Sequence, residues 1–423
     1  GGADNDETER PPLTGKAVYV PKGLYEQPWS EVHDAYGAAT LTPYYIEALA
    51  SPDVGDQQFG SYGLYAATTH QGSVYEASKM AIPFLVDMLN AEKDHGFIIA
   101  SHFISRIAVG EKHFIRTPKD IEASKSIYFN DVFAYLDQLI TFYKRTNSEE
   151  VERLLCFYPN ILPDYLDLNI DNAERLASAL VTQGFIAAER GCKEHKSTVQ
   201  ELMYNSPSLL VRGAAAICLS YSNMVNDDVS QLLEYIAAQN FRYTPWVWDN
   251  LNDMASSAWL YAADMETLLS RKPHVQDYEP LSKLKCLDEA FSRVFKPRNY
   301  PYLPTDLSPI QKRVLEEFAD YNPNSLHRFE FDGYNVPENL PALKRLLGRS
   351  EDLLCKNISI EYDNLSGYPL WYLLESYLLP DSHITEETMV RALSSTDTWA
   401  VAKEVFIRKP DSNGVESCTL SLH

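Results

Sequence analysis

From about residue 40 to 350, apolar side chains recur at intervals of three and four, the spacing that places them along one face of an α-helix. The organising stretch is the turn His70–Ala77. Before it, Phe59, Tyr62, Leu64, Tyr65 and Ala66 outline one apolar helix; after it, Val74, Ala77, Ala81, Phe84, Leu85 and Met88 outline another. Gly72 gives the backbone the freedom a helix stop requires. Ser73, with Glu76 three residues on, has the spacing of a capping box. Two helices with one greasy face each, joined by a short turn, form the unit of a helical-repeat array.

The same punctuation recurs along the chain. Thr42-Pro43 and Ser51-Pro52-Asp53 read as helix starts, and such closely spaced starts predict antiparallel helix neighbours. Further helices are expected over 97–108, ending at Gly110, from about Asn130 to Tyr143, after Ser148, over 171–190 and 197–204, over 244–269, over 281–295 and from Ser308-Pro309. Residues 111–125 read as loop. The segment from Ser206-Pro207 through Val211, Ala214, Cys218, Asp227-Asp228, Leu232-Leu233 and Ile236 is the clearest HEAT-like unit, at about 35–40 residues. Ser51-Pro52 and Ser206-Pro207 hold equivalent places in two units. A short helix from Pro337 to Gly348, a strand near 358–362 and helices over 369–379 and 386–393 complete the reading. The expected fold is all-α: an α-solenoid, or superhelix, of HEAT-like or armadillo-like antiparallel helix pairs. Three regions are expected: a disordered acidic lead-in over 1–16, the helical array over 17–350, and a helical extension over 351–423 with a frayed tail after Lys409.

Several of these segments carry a resemblance. Ala35-Tyr36-Gly37-Ala38, Leu49-Ala50-Ser51-Pro52-Asp53, His70-Gln71-Gly72-Ser73-Val74-Tyr75-Glu76-Ala77, Pro83-Phe84-Leu85 and Leu307-Ser308-Pro309-Ile310-Gln311 together resemble a family of uncharacterised, mostly bacterial HEAT-repeat-like proteins. The resemblance spans residues 29–348 with gaps, implies the helical-repeat fold and is nearly silent on activity. In the family pattern a histidine stands directly before the Ala-Tyr-Gly; here Asp34 holds that place and His33 is out of step.

Charge narrows the partners. The 423 residues carry 37 Lys+Arg against 59 Asp+Glu, a formal net charge of −22. Such a surface repels nucleic-acid backbones and anionic membranes and suits a basic protein. No stretch approaches the roughly 20 apolar residues of a membrane-spanning helix. The six cysteines are scattered without a CxxC pair, so reduced thiols are expected, with no metal or organic cofactor and a cytoplasmic setting. The chain begins Gly1-Gly2, which suits a cleavage scar and a processed precursor equally, a removed signal peptide included.

Candidate chemistry is sparse. No phosphate-cradling GxxxxGK[ST], no GxGxxG and no GxSxG occurs. The most enzyme-like group is His70 with Glu76, an imidazole and a carboxylate capable of acid–base work in a cleft; the competing reading is that both serve the turn. His95, His102 and His113 lack the spacing of a metal site. The 27 tyrosines are the unusual feature. Tyrosine and tryptophan give rigid, amphipathic contact area, so Tyr36, Tyr44, Tyr45, Tyr65, His70, Gln71, Tyr75, Glu76, Trp246 and Trp248 form the expected partner-binding set. Three functional classes stay open: a non-catalytic protein-binding scaffold, including an immunity or inhibitor role against a basic effector; an enzyme using the His70/Glu76 pair; and an assembly adaptor.

Overall fold

A computed structural model describes residues 12–91, 97–239, 247–272, 280–295, 307–320, 406–410 and 416–420. Fifteen α-helices stand among them, as the periodicity predicts. The chain divides into two compact units, Gly1–Ala262 and Ala263–His423.

The first unit opens on two 3-10 turns, Leu24–Glu26 and Trp29–Glu31, and a short hairpin of β1 (His33–Asp34) and β2 (Gly37–Ala38), with His33 opposite Ala38. The lead-in, expected to be loose through residue 16, is pinned earlier. The Thr14 and Gly15 amides donate to the Asp56 carboxylate at 2.9 and 2.8 Å, and the Ser51 hydroxyl adds a third bond at 2.6 Å. Asp56 lies at the start of α2, where a carboxylate also meets unpaired helical amides.

Helices α1 (Thr42–Ala48) and α2 (Val54–Thr68) follow and approach unusually closely. A Cβ on Gly60 would lie 2.6 Å from the Tyr45 carbonyl, and one on Gly63 would lie 2.3 Å from the Tyr45 ring. Next come α3 (Glu76–Asn90), α4 (Ile99–Val109), α5 (Asp120–Ser124), α6 (Leu136–Thr146), α7 (Glu149–Cys156), α8 (Ala173–Arg190), α9 (Lys196–Asn205), α10 (Leu209–Tyr221), α11 (Asp227–Ala237) and α12 (Leu251–Ala262). Two local expectations change. Residues 111–125, read as loop, contain a 3-10 turn (Lys112–Phe114) and α5, while the helix expected from Asn130 begins as 3-10 structure over Phe129–Tyr135 before α6.

The helix starts follow from their residues. Asp53, Ser148, Asn172, Ser208 and Asn226 each accept a bond from the amide three residues on, a cap worth about 1 kcal/mol. Before α2 and α10 the motif is the same. Ser51 and Ser206 accept from the amides of Asp53 and Ser208 at 3.2 and 3.3 Å, a proline intervenes, and the next residue caps the helix. The turn before α3 differs from its expectation. Gly72 has φ 81°, as a permissive residue should, but Ser73 caps nothing. The helix begins at Glu76, and Ser78 closes the end by accepting from the Tyr75 amide at 2.9 Å while donating to the Thr68 carbonyl.

The core of the unit centres on α10, which packs on α8, α9, α11 and α12. Its Gly213, Ala214, Ala215 and Ala216 are buried, and small residues permit close approach. Gly184 of α8 meets it so tightly that a Cβ there would come 3.0 Å from the Cys218 Cα. Trp248 fills the space beside α8. Its ring stacks 4.4 Å from Phe185, stands edge-on to Phe157, and its indole N–H donates to Thr182 at 3.2 Å. Arg175 of α8 grips the buried Glu152 of α7 with two bonds of 2.8 and 3.0 Å.

In the second unit, α13 (Met265–Leu269) packs on α14 (Lys283–Val294), and α14 on α15 (Pro309–Asp320). Ser308 and Gln311 form a reciprocal cap on α15. The tail expected to fray after Lys409 instead contains two antiparallel paired strands, β3 (Phe406–Pro410) with β4 (Glu416–Leu420). The elements expected over 337–348, 358–362, 369–379 and 386–393, with the boundary at 350, lie outside the described residues.

Candidate partner-binding face

The hairpin β1–β2 and the closely packed α1 and α2 wall a cleft of about 240 Å³. Three tyrosines line it: Tyr36 from the hairpin, Tyr45 from α1 and Tyr62 from α2. Gly63 makes the cleft possible, because the Tyr45 ring occupies the space its side chain would take. Asp34 is the acidic group in the wall and accepts from the Tyr36 amide at 2.7 Å. Tyr36 is 60% exposed and Tyr62 74%.

The aromatic surface continues towards the turn. The His70 ring stands edge-on to Tyr36 at 5.7 Å. Beyond Gly72, the exposed Phe114 ring approaches to 3.9 Å of where a Gly72 Cβ would stand. Beneath this surface Arg106 of α4 fixes the turn. It donates from Nε to the Thr69 hydroxyl at 3.1 Å, from Nη2 to the Thr69 carbonyl at 3.4 Å and to Glu111 at 2.8 Å. Its guanidinium also covers the Tyr65 ring. Glu111 additionally accepts from the Tyr65 hydroxyl at 3.4 Å and pairs with His113 at 3.1 Å. Partial burial alone would raise the Glu111 pKa; the bond and charge of Arg106 outweigh that and hold the carboxyl below its ordinary range, so it stays ionised.

The expected set therefore scatters. Tyr36 and Tyr45 share a cleft, and Tyr65 and His70 lie on the adjoining surface. Tyr44 is buried against Phe59 and Trp248 is completely buried, so both are core residues: aromatic residues at helical spacing filled the interior first. Tyr75 is half-buried at the cap of α3. Glu76 is exposed and lines a different depression, a groove of about 660 Å³ with Met80, Phe84 and Tyr135, crossed by a 3.5 Å ion pair between Lys79 and Asp131. His70 and Glu76 share no hydrogen bond, and His70 does not line that groove. The Gln71 side chain and Trp246 lie outside the described residues. Arg106, Glu111 and Phe114 join the face without having been singled out for it, and Tyr62, one of the tyrosines crowded between residues 44 and 75, joins it from α2.

Among the described residues, no three His, Cys, Asp or Glu side chains converge as a metal cluster would require, and no helix is long and apolar enough to cross a membrane. No family model matches the chain, and the search of curated proteins gave no match.

Proposed function

We propose that the chain is a non-catalytic, α-solenoid scaffold that binds a basic protein. The observation that carries this reading is the run of exposed aromatic rings, Tyr36, Tyr62, Tyr65 and Phe114, on a surface held in place by the buried Arg106. Rigid aromatic anchors supply contact area at low entropic cost. The net charge of −22 supplies long-range attraction for a basic partner. The repeat arrangement is supported by α10, which touches its neighbours at one and two places along the chain on both sides, and by the shared Ser-Pro-cap entry to α2 and α10. On this reading the resemblance to the HEAT-repeat-like family is one of architecture, an immunity or inhibitor role against a basic effector is the specific form, and the scattered cysteines suit a cytoplasmic protein.

The test is affinity capture from the native host with the parent chain and with Tyr36→Ala/Tyr62→Ala, followed by mass spectrometry and binding kinetics. The expected result is a basic protein whose association slows as salt rises and which the double variant releases at least tenfold faster. An acidic partner, a nucleic acid, or equal release by both chains would overturn the reading.

A further inference from the structure

Among the described residues, the lining of the cleft between the β1–β2 hairpin, α1 and α2 holds three tyrosines and one carboxylate but no basic side chain. Most of the remaining wall is apolar, supplied by Ala38, Leu41, Ala66 and Ala67. Two of the rings carry no cation. Among the described residues, Tyr62 makes no hydrogen bond and no ring contact, and Tyr36 has its one ring contact with His70 at 5.7 Å. The next tyrosine on α2 differs. Tyr65, one turn after Tyr62, is covered by the Arg106 guanidinium at 4.3 Å from its centre. The chain thus supplies its own cation to one ring of this surface and none to the two beside it.

The electrostatics of this lining favour a cation. An aromatic ring is negative on its face and positive at its edge, so rings grouped around a cavity attract positive charge. Asp34 adds a full negative charge. Its carboxylate already accepts from the Tyr36 amide at 2.7 Å; its part here is the charge itself, which acts through space whatever its oxygens bond. The apolar wall then selects among cations. An ammonium or guanidinium group brings several N–H donors, and enclosing them without acceptors is costly. A trimethylammonium group has no N–H. Its methyl groups can rest against alanine and leucine while its charge meets the rings and Asp34. The volume of about 240 Å³ is smaller than the roughly 300–1,000 Å³ that takes a drug-sized molecule. It suits a head group, with the rest of the ligand outside, past the exposed rings of Tyr36 and Tyr62.

We propose that this cleft binds a trimethylammonium group, carried either by a free compound such as choline or by a trimethylated lysine side chain. Tyr36 and Tyr62 grip the cation, and Tyr45, held against Gly63, is the fixed third ring. The lysine source rests on the protein-binding reading above, because the side chain would belong to the partner. The free compound needs no partner, and its binding stands apart from that reading.

The test uses the full chain, with choline chloride and its neutral isostere 3,3-dimethyl-1-butanol as probes at an ionic strength matched with sodium chloride. Isothermal titration reads binding, with circular dichroism to confirm folding. Choline is expected to bind saturably and roughly fivefold or more tighter than the isostere, the scale of two cation–π contacts. Tyr36→Leu and Tyr62→Leu keep apolar bulk and remove the ring; each is expected to weaken choline roughly threefold or more. Tyr62→Phe is expected to keep the parent affinity. Tyr235→Leu, at an exposed ring on α11, is expected to change nothing. A short peptide carrying trimethyllysine assigns the source: tighter binding than choline points to a partner side chain, and weaker or equal binding to a free compound. The proposal is overturned by any of four results: no saturable choline binding, equal affinity for the isostere, parent affinity in both leucine variants, or an unmodified lysine peptide that binds as tightly as choline. Equal weakening by Tyr235→Leu overturns it too. Failure with these probes leaves the scaffold reading standing, and failure to capture a basic protein leaves choline binding standing.

Discussion

The Arg106 guanidinium lies 4.3 Å from the centre of the Tyr65 ring, and the hydrogen-bond partners of both side chains include Glu111. One cation thereby orients an exposed aromatic ring, the end of α2 and the loop after α4. Arg106→Met leaves Glu111 partly buried without its partner and is expected to cost about 2–3 kcal/mol, read as a lower urea midpoint at constant slope. The sign of the pH dependence follows from the lowered Glu111 pKa. The unfolded carboxyl titrates near 4.5 and the folded one lower. The pair's contribution is complete above 4.5 and is lost as pH falls through the lower folded value, so the parent and Arg106→Met should converge in stability on acidification.

At the turn before α3 the capping residues can be separated. Gly72→Val forces a branched side chain to φ 81° and is expected to cost about 1–3 kcal/mol. Ser73→Ala is expected to change stability by less than about 0.5 kcal/mol, because its side chain caps nothing. Ser78→Ala removes the acceptor for the Tyr75 amide and the donor to Thr68, at about 1–2 kcal/mol. Thermal melts should place Gly72→Val and Ser78→Ala clearly below the parent, with Ser73→Ala indistinguishable from it.

Core and surface aromatics should part company in the same way. Trp248→Ala opens a hole beside Phe185 and Phe157 and is expected to cost about 3–5 kcal/mol. Tyr62→Ala, at an exposed ring, should cost less than about 0.5 kcal/mol while speeding release of a captured partner. Denaturation and binding kinetics on the two variants check both halves.

Glu149, in the first turn of α7, has its pKa raised to about 7 by desolvation and then by the charge of Glu150. The unfolded carboxyl ionises near 4.5, so folding becomes less favourable as pH rises from 4.5 to 7 and stays penalised above. Glu149→Gln removes the penalty. With allowance for partial exposure, the gain at pH 8 is on the order of 1 kcal/mol and should vanish below the ordinary glutamate range. Chemical denaturation at pH 4 and pH 8 measures the difference.

What was legible in the sequence was mostly local. Ser148 and Ser308 cap their helices because a short hydroxyl side chain reaches an amide three residues away, and that rule needs no tertiary knowledge. Ser73 failed the same rule because the chain turns once more, and the cap forms at Tyr75 and Ser78. The grip of Arg106 on Thr69 and of Tyr65 on Glu111 joins positions 37 and 46 apart, a distance over which one sequence carries no pairing signal. Trp248 was misread as surface because an aromatic side chain serves core and interface equally well; only the packing of α8 decides between them. The tyrosine cleft was half-legible: the crowding of tyrosines near α1 and α2 was visible, but Gly63, which gives Tyr45 its place, has no chemistry to advertise.

The arrangement around α10 bears on how the chain folds. The four helices on which α10 chiefly packs come from one continuous stretch between Ala173 and Ala262. The loops that must close are short, and such local contacts form early and fast. This stretch can therefore nucleate without waiting for α1 or α2. Early closure also hides Ala214, Ala215 and Cys218, a sticky surface that would otherwise invite association between unfinished chains.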